Sequence, residues 1–123
     1  MATPIEQLEL MKQLEENFDG YGGSPPGERV LEMAKEFVRL LDRVRAKTVP
    51  FEGIFVTPGP DLSVLIEWED DDYHHEMDVN PDGSLSILHE ERANGVMTVH
   101  RFEPGQYSVA PGLLTHLCNS VLA

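Results

Sequence analysis

At Pro50 the apolar residues of this chain change their spacing from a helical period of about 3.6 to a strand period of about 2, and that switch restricts the fold more than any other feature. Before it, Val30, Ala34, Phe37, Val38, Leu41 and Val44 form a stripe with charged residues opposite, as in a helix resting on a core. After it, Leu62, Val64, Ile66 and Trp68 alternate with Ser63, Leu65, Glu67 and Glu69, and Tyr73, His75, Met77 and Val79 continue the alternation. Helices followed by strands, not interleaved with them, indicate an α+β layer.

The N-terminal part holds two predicted helices. Thr3-Pro4-Ile5-Glu6 combines an N-cap, a proline at the first helical position and a glutamate that can reach back to the cap. Ile5, Leu8, Met11, Leu14 and Phe18 recur at helical spacing, which predicts a first helix over about residues 4–18 with Gly20 as its left-handed stop. Ser24-Pro25-Pro26-Gly27-Glu28 restarts a helix that should end near Arg45, ahead of Val49-Pro50.

Turn residues then set the strand pairing. A strand over residues 53–57 precedes Pro58-Gly59-Pro60, and residues 69–72 make a four-residue turn that pairs Trp68 with Tyr73. Asn80-Pro81-Asp82-Gly83 suits a type I turn with Gly83 in the bulge, pairing Asn80 with Ser84, and Asn94-Gly95 suits a type I′ turn, pairing Ala93 with Val96. Pro111, Leu113, Leu114, Leu117 and Val121 read as a short amphipathic helix. The expectation is a single α+β domain over residues 1–123: two N-terminal helices, a four- to five-stranded antiparallel meander sheet and a short C-terminal helix. Val64, Ile66, Trp68, Met77, Leu85 and Ile87 should face the helices.

Charge is distributed unevenly. Residues 48–91 contain no lysine or arginine but twelve carboxylates, and they account for nearly all of the net charge of −13. Six of the nine bases (Arg29, Lys35, Arg39, Arg43, Arg45 and Lys47) cluster in one short segment, where Glu28, Glu32, Glu36 and Asp42 interleave with them as on a solvated helix face. Direct binding to nucleic acid is disfavoured, because that affinity comes from neutralising phosphates with Lys and Arg. No apolar run approaches membrane-spanning length, no secretory leader pattern opens the chain, and the single cysteine, Cys118, cannot form an internal disulfide; a reducing cytoplasm is the expected compartment.

The segment Asn17-Phe18-Asp19-Gly20-Tyr21-Gly22-Gly23 with Pro25-Pro26, together with Ile66-Glu67-Trp68 and Pro81-Asp82-Gly83, resembles a group of short uncharacterised bacterial proteins that carry a Trp-Asp-Gly-Tyr-Gly loop, an Ile-Glu-Trp strand and a Pro-Asp-Gly turn. Phe18 stands where the group has Trp. The resemblance covers roughly residues 14–90 and implies a shared architecture, with no activity attached. The loop itself reads as a connector: Asp19 accepts backbone N–H groups and the glycines permit left-handed turns.

Three readings of function follow. The first is a small acidic, non-enzymatic interaction protein of the inhibitor, antitoxin or immunity type, from a bacterium or a phage. It would dock a basic protein or a nucleic-acid-binding protein through Glu67, Glu69, Asp70, Asp71, Asp72, Tyr73, Glu76 and Asp78. The second is a zinc-dependent enzyme. The expected registers place His75 opposite His89 and His89 opposite His100, so that three imidazoles share one face and could hold an ion with a position left for water. The third is a homo-oligomeric structural module, suggested by Leu65, Leu88, Met97 and Val99 on the nominally polar side. That side also gathers Glu67, His74, Glu76, Asp78 and Glu90, with Glu67 expected opposite His74, as on a solvated acidic sheet face. No nucleophile-elbow, Cys-His, His-Glu-x-x-His or P-loop spacing is present.

Overall fold

The computed structural model describes residues 3–16, 18, 20, 23–47, 53–59, 61–69 and 72–103. Its elements are α1 (Pro4–Leu10), a 3-10 turn (Met11–Gln13), α2 (Glu28–Lys47) and five strands: β1 (Ile54–Pro58), β2 (Val64–Glu69), β3 (Tyr73–Val79), β4 (Leu85–Glu91) and β5 (Met97–Phe102). The strands form one antiparallel meander in the order β1-β2-β3-β4-β5. Two helices and an antiparallel sheet make the fold α+β, as expected. The predicted C-terminal helix and Cys118 lie outside the described residues.

α1 begins as its sequence requires. Thr3 Oγ1 accepts the Glu6 N–H at 3.1 Å and the Glu6 carboxylate accepts the Thr3 N–H at 3.4 Å, with Pro4 in the first turn. It ends sooner than predicted, because Leu14 adopts an extended conformation after the 3-10 turn. Beyond it, the Ser24 hydroxyl donates to Glu16 Oε2 at 2.7 Å. Phe18 therefore belongs to the connection, not to the helix.

α2 lays Val30, Leu31, Ala34, Phe37, Val38 and Leu41 against the sheet, where Val56, Val64, Ile66, Trp68, Met77, Val79, Leu85 and Ile87 point at it; Leu8 and Met11 complete the core. The side chain of Val44 lies outside the described ones. Lys35 departs from the expected solvated face. It is 4% exposed, and its ammonium reaches Glu9 of α1 as well as Glu32 at 3.1 Å, so one buried cation straps the two helices together. Among the described residues no helix is long and apolar enough to cross a membrane.

The turns decide the registers. Between β3 and β4 the expected pairing holds: the Gly83 N–H donates to the Asn80 carbonyl at 3.0 Å, Gly83 takes φ +92°, and Asn80 pairs with Ser84. Asp82 Oδ1 accepts both the Ser84 N–H and the Ser84 hydroxyl, which holds the Asp82 carboxyl below its ordinary pKa.

The other two hairpins correct the expectation. Trp68 lies opposite His75, not Tyr73, and Glu69 opposite His74. This register gains a Trp68–His75 ring stack (centroids 5.1 Å apart) and a Glu69–His74 contact at 3.0 Å. In the β4–β5 hairpin Asn94-Gly95 does not form a two-residue loop. Residues 92–95 make a four-residue loop in which the Gly95 N–H bonds to the Glu91 carbonyl, Asn94 Oδ1 accepts the Val96 N–H, and Gly95 takes φ +71°. The Arg92 N–H meanwhile donates to the Asp72 carbonyl, extending the β3–β4 ladder.

Candidate functional site

Both described helices pack on the inner face of the sheet, so the outer face belongs to the strands alone among the described residues. Its side chains form cross-strand rows. One row runs Phe55, Glu67, Glu76, Leu88, Val99; the next runs Glu69, His74, Glu90, Met97. Glu67 and Glu76 are thus direct cross-strand neighbours of like charge, an arrangement that by itself destabilises a sheet.

His74 relieves it. Its Nδ1 lies 3.0 Å from Glu69 Oε1, and its Nε2 lies 3.0 Å from Glu76 Oε1 and 3.5 Å from Glu67 Oε2. Partial burial opposes the imidazolium, yet the hydrogen bonds and negative charges of Glu76 and Glu69 outweigh it, and the His74 pKa is raised above its ordinary 6.5. Burial, followed by the charge of Glu76, likewise raises Asp78. A shallow depression of about 280 Å³ lies beside the cluster, lined by Phe55, Glu67, Trp68, Glu69 and His74.

The inner-face histidines are arranged differently from the expected row. His75 stands opposite His89, as predicted, and the two buried rings meet Nδ1 to Nδ1 at 2.5 Å, so one ring donates a proton there and the other accepts. His75 stacks between Trp68 and Tyr73. His100, however, pairs with Ile87, and Thr98 takes the place opposite His89. That correction follows from the four-residue β4–β5 loop. His100 remains on the same face as a diagonal neighbour, its ring centroid 6.2 Å from that of His89. Among the described residues, the group of three whose ligand atoms all lie within 4.8 Å of one another is Glu67, His74 and Glu76, not the histidine row.

Of the predicted docking residues, Glu67, Glu69, Glu76 and Asp78 share the outer face, and Asp72 is exposed at the β2–β3 tip. Asp70 and Asp71 lie outside the described residues. Tyr73 turns the other way, its ring 5.8 Å from that of His75 on the inner side. The convergence of Glu67 and Glu76 on one imidazole escaped the sequence reading, which set Glu67 opposite His74; the signal was the Glu-x-Glu and His-x-Glu spacing on adjacent strands, which aims all four side chains at one face. Leu65 and Leu88 are half-buried, while Val96, Met97 and Val99 are 54–60% exposed along the β5 edge. No family model, curated protein or solved structure matches the chain at a significant level.

Proposed function

We propose that this protein is a non-enzymatic interaction module whose outer sheet face docks a basic protein surface. One observation carries the reading: Glu67, Glu69, Glu76, Asp78 and Glu90 project side by side from three neighbouring strands on the face opposite the helices. A rigid array of carboxylates steers a cationic partner and can occupy a site built for phosphate. An inhibitor, antitoxin or immunity protein works by that charge logic.

The test spares Glu67, Glu69, His74 and Glu76 and changes the other carboxylates of the face and its tip. A protein captured from the native host's extract is purified and titrated against the wild-type chain and against the Asp72→Asn/Asp78→Asn/Glu90→Gln variant at low and high salt. The reading expects about tenfold or greater weakening in the variant at low salt, a gap that narrows as salt screens the charges. Equal affinities with the same salt dependence would overturn it.

A second reading, self-association, is favoured by the β5 edge, where Met97 and Val99 are 60% and 59% exposed beside an unsheltered strand, among the described residues. It expects light scattering to give twice the chain mass for the wild type and the single-chain mass for Val99→Lys. A monomeric wild type over the accessible concentration range excludes it.

A further inference from the structure

We propose that Glu67, His74 and Glu76 form a zinc(II) site on the outer sheet face, with the Glu69 carboxylate holding the imidazole from behind. The three donor atoms lie within 4.8 Å of one another, and two of their separations already suit a single ion. His74 Nε2 is 3.0 Å from Glu76 Oε1 and 3.5 Å from Glu67 Oε2, and ligands bound at about 2.0–2.2 Å to a single zinc lie roughly 3–3.5 Å apart. The ion would take the place of the Nε2 proton, which leaves to solvent.

Three features set this group apart from the acidic positions around it. First, it contains a nitrogen donor, which favours zinc and its transition-metal neighbours over Ca²⁺ or Mg²⁺, whose sites are built from oxygen. Asp78 and Glu90, on the same face, do not join it. Second, Nδ1 is held by Glu69 at 3.0 Å, which leaves Nε2 directed at the other two carboxylates; a carboxylate behind a ligating histidine is the usual way its tautomer and orientation are set. Third, all four residues stand on β2 and β3, interior strands with a neighbour on each side, so their positions are fixed by ladders and not by a loop. Two of the three ligands, Glu67 and His74, also line the adjoining depression. Zinc also cancels the Glu67–Glu76 repulsion that the register imposes. The site goes beyond the docking reading and does not depend on it, because the docking variant leaves all four residues intact.

The test is calorimetric titration of the untagged, chelator-stripped full chain with zinc chloride. One ion per chain is expected. Affinity should fall at least tenfold in His74→Gln and in Glu67→Gln/Glu76→Gln, and about tenfold or more in Glu69→Gln, while His100→Gln binds as the wild type does. The proposal is overturned if the wild type takes up no zinc, or if folded His74→Gln binds it as tightly. Should His74→Gln fail to fold by circular dichroism, nitrogen NMR of the wild type decides: a zinc-induced shift at His74 Nε2 supports the site, and shifts confined to other imidazoles refute it.

Discussion

Trp68→Ala is expected to cost about 3 to 5 kcal/mol of folding stability, read as a lower denaturant midpoint with an unchanged slope. Trp68 is fully buried in β2, stacks on His75 at 5.1 Å and belongs to the cluster that joins the helices to the sheet. Truncation leaves a void among side chains anchored on several elements, and a void of that kind closes only in part. Among the described residues the buried indole Nε1–H has no hydrogen-bond partner, which leaves a desolvation cost on the native residue. Trp68→Phe removes that cost together with some volume and should therefore lose much less than the alanine variant. Equal losses for the two variants would overturn this expectation, because they would show that the phenyl ring recovers none of the packing that alanine gives up.

Leu41→Ala should cost about 2 to 5 kcal/mol, against less than about 0.5 kcal/mol for Val99→Ala. Leu41 is 0% exposed on α2, facing the sheet, whereas Val99 is 59% exposed on the edge strand. The two substitutions remove similar apolar bulk and differ in whether water already touches it. Thermal unfolding of both variants by calorimetry checks the contrast; similar losses would mean that Val99 is covered in solution, which favours the self-association reading.

The layers of this fold were legible because alternation is a local property. Val64, Ile66, Trp68, Met77, Leu85 and Ile87 are all buried as their spacing predicts, whatever their partners across the sheet. Register was legible only where the turn chemistry left one solution, at Asn80-Pro81-Asp82-Gly83. At the other two hairpins a slide of two residues leaves the apolar pattern intact, so that pattern does not select between them; the turns that form place Glu69 beside His74 and Trp68 beside His75, and let Asn94 cap Val96. Helix periodicity misled twice. It carried α1 through to Phe18, and it put Lys35 on a solvated face because a lysine's long stem can be buried while its ammonium finds carboxylates that only tertiary structure brings near. The candidate site shared this limit. Each of Glu67, His74 and Glu76 was assigned to the correct face, yet which three meet depends on register alone.

The four-residue loop between β4 and β5 has a consequence for how this chain tolerates changes in length. A deletion of two residues within 92–95 would leave a shorter hairpin with Leu88, Val99 and Met97 still outward and His89 and His100 still inward. A single inserted residue, unless a bulge absorbs it, would turn β5 over, burying Arg101 and exposing Phe102. Variation at this tip is therefore constrained in number more than in kind: pairs of residues can come and go, and odd ones cannot.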